Sequence, residues 1–550
     1  MNKKNIFIAT VMCVFAGSAL AQTTLYKNVN GYTLSNGKLT QFQAIRFTDD
    51  KIDKIYQAND IIESNQQWQI IDGQGKTLLP GLIDAHGHIL SYGKSLMSAN
   101  LNGTDSLKAA VEATASYAAK NPELEWIMGR GWNQELWPSK SFPNAAALDK
   151  LFPNTPVYLS RVDGHAAWVN SKAMALAGIN DNTSSPSGGE IMKDASGNPT
   201  GIFIDNAMSL FDKYTKLQSK SQQQRLVAKA MEELASYGIT SVHDAGIDED
   251  NLQVFEQLAK ENKLPIRVNA MLNIPSHNWR NVLAKGTFQS NNGMLQFNSV
   301  KIVADGALGS RGAAMIEDYS DHKGHKGLLI HDEATLKQYI NEAMDYGFQV
   351  NTHAIGDNAN HLVLENYEQA IKRHNAKSLR HRIEHAQVLT LDDISRFKPL
   401  GVIASMQAIH ATSDKNMAED RLGDRIQGAY AWRKLLNAGA IIAAGSDFPV
   451  ESPNPFWGLH AAVTRQDKNN SPANGWKPKE KMTTVEAFRS FTTDAAFAGH
   501  QENMIGSLTA GKKADFIIID KDLFNISPAE IWQIKVKETW VNGVQVFNRQ

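Results

Sequence analysis

Hydrophobic and polar positions divide this chain into two strand-rich ends and an alternating middle. Residues 23–78 alternate apolar and polar side chains at Thr24 to Val29, Ala44 to Phe47, Ile52 to Tyr56 and Trp68 to Ile71, with Asn, Gly and Asp between them. This pattern predicts short strands. The far C-terminus repeats it at Asp515 to Asp520 and Glu538 to Phe547, where Asn542-Gly543 predicts a type I′ hairpin turn. Two such ends predict one small β-sandwich, with 23–78 as its N-terminal part and 501–550 as its C-terminal part.

In the middle, runs of period two alternate with runs of period 3.6. Strands are predicted at Leu82 to His88, Ile239 to His243, Ile266 to Leu272, Ser299 to Val303, Phe348 to His353, Arg382 to His385, Val402 to Met406 and Ile441 to Gly445. Helices are predicted at Leu252 to Asn262, Ala334 to Tyr346, Asn358 to His374 and Ala429 to Ala438. Alternating strand and helix units imply a parallel sheet, and eight strands imply closure into a barrel. The expected fold is therefore α/β, a (βα)8 TIM-like barrel over 79–500 joined to the β-sandwich. The first crossover is far too long for such a unit. It predicts an insertion over about 100–235, rich in Trp, Asn, Pro and Gly, that caps the site or selects the substrate.

Composition narrows the class. Apolar content of 42% and charged content of 21% are those of a globular protein. Lys+Arg 56 against Asp+Glu 57 leaves a net charge of -1, and no basic stripe points to a nucleic acid. Lys3 and Lys4, the apolar run Ile6 to Ala19 and the small residues of Ala19-Leu20-Ala21 predict a signal peptide over 1–21, hence export to the periplasm or beyond. A retained anchor is the competing reading, but the run is short for a membrane span. Cys13, the single cysteine, lies inside this segment, so the mature chain would have neither disulfide nor thiol chemistry. No stable membrane span is expected after cleavage.

Reactive groups of a (βα)8 barrel sit at the carboxyl ends of its strands. Reading the predicted strand ends gives His86 and His88 on the first, Lys301 on the fourth, His353 on the fifth, His385 on the sixth and Ser446-Asp447 after the eighth. A period of two places His86 and His88 on one face, a spacing suited to a metal ion that chance alone also supplies. Four imidazoles, a lysine and a carboxylate at one mouth are a far stronger signal.

With these residues in place, the chain resembles the amidohydrolase superfamily and, within it, the amidohydrolase-3 branch of YtcJ-like metal-dependent hydrolases. The resemblance is carried by PGLIDAHGH (80–88), GRGWNQELWP (129–138), VDGHAAWVNSKAMALAGI (162–179), SVKIVADGALGSRGA (299–313), NTHAIGD (351–357), HRIEHAQ (381–387), GSDFPVESPNPFWGL (445–459) and GSLTAGKKADFIIID (506–520). It implies that His86 and His88 bind one divalent ion and that His353 and His385 bind a second. It also implies that Lys301 is N-carboxylated, so that its carbamate bridges the two. A plain Lys301 ammonium held by a nearby acid, beside one ion, is the alternative. Zinc is the foremost candidate, with Mn²⁺ and Fe²⁺ equally compatible with such donors.

Asp447 is the expected proton carrier, taking a proton from water activated at the metal and handing it to a departing amine; a helix cap is its plainer role. Trp132 and Trp137 line a hydrophobic subsite or form the core of the insertion. His165 and His410 are substrate contacts or loop residues. Arg311, with Asp305, orients the site, or the two simply pair. His243 is as much a structural residue as a functional one, and Asp84 is expected to support the ligands from behind. The reading overall is an exported metal-dependent hydrolase cleaving an amide-type C–N bond in a small molecule, an N-acyl or N-formyl amine. The same scaffold acting on an ester or a cyclic amide or imide is the alternative, followed by a non-catalytic periplasmic binding protein. A homodimer is compatible with the sequence.

Overall fold

Eight parallel strands form the centre of the computed structural model, which describes residues 21–549 apart from 64, 163, 165, 187–188 and 216–218. The expected signal peptide therefore lies almost wholly outside the described residues. The barrel strands are β1 (Leu82–Gly87), β2 (Ile239–Ile247), β3 (Arg267–Ile274), β4 (Leu295–Val303), β5 (Gln349–Ala354), β6 (Arg382–His385), β7 (Ile403–Met406) and β8 (Ile442–Ala444). Each pairs in parallel with the next in chain order. All eight predicted strands are present. β2 runs past His243 because Gly246, at φ 125°, lets the chain continue where a side chain would be strained.

β1 and β8 close the ring just beyond their ends. Gly87 bridges Phe448 in parallel fashion. The Asp447 amide donates to the His86 carbonyl at 2.7 Å, and the His88 amide donates to the Phe448 carbonyl at 2.9 Å. Glycine is required on both sides of this seam. A Cβ on Gly87 would lie 2.1 Å from the Phe448 ring, and one on Gly445 would lie 2.5 Å from the His86 amide nitrogen.

The helices outside the barrel form where the sequence supplies both a cap and an apolar stripe. Asp332 caps the helix Glu333–Asp345, which buries Leu336, Ile340, Ala343 and Met344. The helix predicted over Ala429 to Ala438 is shorter, Trp432–Asn437. Tyr430 adopts φ 49° with its amide bonded to the Gln387 carbonyl, and this breaks the helical run.

The insertion carries a sheet of its own. Its strands run in the order Gly189–Lys193, Pro199–Asp205, Ala166–Val169, Val157–Arg161, Ile127–Trp132 and Ala99–Asn100. Both chain ends join in the remaining sheet, ordered Val544–Asn548, Val536–Val541, Phe516–Ile519, Thr77–Pro80, Thr23–Ser35, Lys38–Thr48 and Lys51–Tyr56, with Gln69–Asp72 on the flank. This sheet is continuous and doubles back on itself. Asn28, at φ 56°, lies in a register shift that bends its longest strand, and Tyr26 and Phe47 of one leaf meet Phe516 and Trp540 of the other. Arg267, at the start of β3, fixes this domain to the barrel floor through a fully buried pair with Asp515 at 2.9 Å. No helix among the described residues is long and apolar enough to cross a membrane.

Candidate metal centre

The barrel brings the predicted strand-end residues into one cluster. The His86 and His88 rings are 5.4 Å apart, His86 and His385 4.7 Å, and His353 and His385 4.6 Å. Asp447 lies at the centre, with Oδ1 3.0 Å from His88 Nε2 and 3.5 Å from His86 Nε2. His410, in the helix Ala408–Leu422 that follows β7, stacks on His385 and places Nε2 3.6 Å from the other oxygen of Asp447. Lys301 points up from β4, with Nζ 3.5 Å from His86 Nε2. Two triads, His86–His88–Asp447 and His385–His410–Asp447, each hold their donor atoms within 4.8 Å of one another.

Several of these residues occupy unusual backbone conformations. His385, Ala386 and Asp447 have φ of 75°, 44° and 62°, in the left-handed region that side chains ordinarily avoid. Such strain persists only where surrounding structure enforces it, and here the closed barrel does so. Asp84 is one enforcing group. Its carboxylate accepts from Ser446 Oγ at 2.6 Å and from the amides of Ser446 and His86 at 3.1 Å, tying β1 to the chain just past β8.

Burial controls protonation at the site. Burial, followed by the charge of Lys301, lowers His86 to about 4 and His353 to about 3. Burial and then His353 hold His385 well below the ordinary histidine value. Burial opposes the charge of Asp447 too, but the His88 hydrogen bond and the nearby imidazoles outweigh it and keep the carboxyl well below its usual range. Burial also lowers Lys301, against the pull of Glu384 and Asp447.

This donor set fits a divalent cation. His86 Nε2, His88 Nε2 and His410 Nε2 all face the buried carboxylate of Asp447, and His353 Nε2 and His410 Nε2 are buried without a hydrogen-bond partner among the described residues. A cation held by His385, His410 and Asp447 would satisfy the last of these nitrogens. The residues behind the ligands suit that role as well, since His385 Nδ1 lies 2.7 Å from Gln407 Oε1, which leaves Nε2 for the centre.

The remaining predicted residues fall elsewhere. Trp132 is a correction. It is fully buried, its indole N–H donates to the Leu159 carbonyl at 2.8 Å, and it packs with Trp137 and Trp168 in the core of the insertion. With no accessible surface it cannot wall a subsite. Trp137 is also buried there, its indole N–H on the Thr104 carbonyl. Arg311 is a second correction: its guanidinium is held by Asp321 at 2.8 Å, the acid that Arg421 also binds, and not by Asp305. Asp305 instead accepts from the amides of Ala314, Ile355 and Gly356, joining the loops after β4 and β5 beside His353. His243 is buried with Nδ1 on Arg382 at 2.9 Å, and His165 lies outside the described residues.

One residue in contact with the cluster was not among those singled out from the sequence. Glu384, fully buried on β6, contacts His86 Nδ1 and pairs with Arg382 at 2.8 Å. A Glu flanked by Ile383 and His385 and two residues from Arg382, in a strand otherwise reading as barrel wall, was the available signal.

Comparison with known proteins agrees with this geometry. The amidohydrolase family model matches residues 69–547. The YtcJ protein of Bacillus subtilis (strain 168) is 32% identical over 484 residues, covering 86% of this chain and 90% of its own length. The N-substituted formamide deformylase of Arthrobacter pascens is 25% identical over 497 residues, covering 88% and 90%. Among solved structures, an uncharacterized metal-dependent hydrolase from Pyrococcus horikoshii OT3 superposes with a TM-score of 0.76 at 26% identity, over 92% of this chain and 99% of that one. A match that starts before the barrel and returns into the terminal sheet leaves little of the fold unaccounted for, and the chain belongs to the amidohydrolase family of metal-dependent hydrolases.

Proposed function

We propose that this protein hydrolyses an amide-type C–N bond of a small N-acyl or N-formyl amine. The observation that carries the reading is Asp447: a buried, charged carboxylate within 3.0–3.6 Å of three imidazoles at the mouth of the barrel. His86, His88, His353 and His385 would hold a divalent ion, which would supply Lewis acidity toward a carbonyl oxygen and a water.

The chain's own residues do the rest. Asp447 accepts a proton from the attacking water as the C–O bond forms. It then delivers that proton to the nitrogen as the C–N bond breaks, because an amine is too basic to leave unprotonated. Burial lowers the basicity of Lys301, which favours the neutral amine that carbon dioxide needs to form a carbamate with release of a proton, and its position beside His86 would let such a carbamate offer oxygen donors to the centre. The deformylase relative supports cleavage of a C–N bond outside peptides. The amino-terminal pattern of Lys3, Lys4 and an apolar run supports export to the periplasm.

A panel of N-substituted formamides, N-acyl amines, matched esters and cyclic imides, assayed on zinc-loaded protein, tests the reading. Release of free amine from formamides or N-acyl amines is expected. Turnover confined to esters or imides would overturn it.

A further inference from the structure

Beneath the ligand cluster runs a line of side chains that the proposed reaction does not use. His86 Nδ1 faces one oxygen of Glu384. Arg382 pairs with the same carboxylate, its terminal nitrogen donating to Oε2 at 3.1 Å and its Nε 2.8 Å from Oε1 as an ion pair. Arg382 is itself held from three other strands, by the Ala85 carbonyl at 2.6 Å, Ser405 Oγ at 2.7 Å and His243 Nδ1 at 2.9 Å. His86, His243, Glu384 and Ser405 are 0% exposed, and Arg382 is 1% exposed.

We propose that Glu384 is a positioning residue of the metal centre, whose Arg382-clamped carboxylate holds the proton of His86 on Nδ1 and so commits His86 Nε2, as a lone pair, to the space it shares with Lys301 and Asp447. A neutral imidazole carries one proton on either of two nitrogens. A carboxylate only accepts, so facing Nδ1 it admits a single tautomer. His86 Nε2 then lies 3.5 Å from both Lys301 Nζ and Asp447 Oδ1, with nothing but its lone pair to offer. Stability alone does not explain the arrangement. A buried ion pair is often no better than apolar side chains of the same volume, so filling the barrel does not require one. Orienting a ligand does, and partners of this kind change metal affinity by about 10–100-fold.

The tautomer argument singles out Glu384→Gln. An amide keeps the shape but must turn its NH₂ either toward Arg382, where a donor meets a cation, or toward His86, where it drives the proton onto Nε2. The inference rests on the metal reading above, so wild type and variant are compared in Co²⁺ affinity, by competition with a chelator, and in the visible Co²⁺ spectrum. The expected result is a folded Glu384→Gln protein with Co²⁺ bound about 10–100-fold more weakly and an altered spectrum. Glu384→Asp keeps the charge opposite Arg382 but withdraws the acceptor from Nδ1. It serves where the amide variant fails to fold, and it is expected to weaken Co²⁺ in the same direction. Wild-type affinity and spectrum in either folded variant would overturn the positioning role and leave the proposed function standing. A wild-type protein that binds no Co²⁺ would instead overturn the metal reading itself.

Discussion

The backbone amide of Asp447 donates to the carbonyl of His86 at 2.7 Å, so the bond that closes the barrel joins two residues of its reactive cluster. Ring closure and the site share these contacts. Asp84 locks the joint between β1 and the chain after β8 through Ser446 and the His86 amide.

Proton delivery by Asp447 predicts a dependence on the leaving group. Asp447→Asn should lower kcat by about 10²–10⁴-fold for amides of basic alkyl amines. The loss should shrink for anilides, whose nitrogen leaves with less help. Steady-state rates across amides graded in leaving-amine basicity measure this, and a uniform loss across the series would count against the assignment.

The insertion's tryptophans predict a stability effect without a binding effect. Trp132→Ala removes a fully buried ring and should cost about 3–5 kcal/mol in denaturant unfolding. KM of the folded fraction should stay as in wild type. A raised KM with unchanged stability would return Trp132 to the substrate pocket.

The link between the β domain and the barrel floor predicts a comparable loss far from the chemistry. Asp515→Ala leaves Arg267 buried and without its partner, a change expected to cost about 3–5 kcal/mol. Thermal unfolding of the variant checks this, and a melting temperature equal to wild type would contradict it.

His381 predicts a definite pH response. Burial lowers its pKa to about 3, while Nδ1 accepts from the Val350 amide and Nε2 donates to the Ala376 carbonyl. The unfolded chain takes up a proton near pH 6.5 and the folded chain does not, so this contribution is full above pH 6.5 and lost as pH falls toward 3. Against His381→Gln, which does not titrate, wild type should lose about 2 kcal/mol of relative stability between pH 6.5 and 5. Urea unfolding at the two pH values measures it, and a pH-independent difference would refute the account.

How far the sequence carried differed by level. The alternation of short strand-like runs with runs of period 3.6 located every barrel strand, because each parallel strand is followed by a crossover that lies on the outside of the sheet. Strand ends then pointed to His86, His88, Lys301, His353, His385 and Asp447, since parallel barrels expose those ends together. Partner choice was not legible. Asp321, which captures Arg311, lies on a loop whose path depends on Arg421 from a distant helix. Trp132 reads alike as subsite or core, because composition does not say which face of a capping sheet turns inward. His410 reads alike as loop or contact until the helix after β7 carries it over Asp447. Glu384 stayed hidden behind its neighbour His385, although a charged pair inside a barrel strand was visible in the letters.

The most direct test is metal content. Protein purified without chelators, dialysed and analysed for transition metals should hold one or two divalent ions per chain, and His86→Ala should lose bound metal and amide hydrolysis together. Wild-type protein that takes up no divalent metal, even when zinc, manganese and bicarbonate are supplied, would contradict the account.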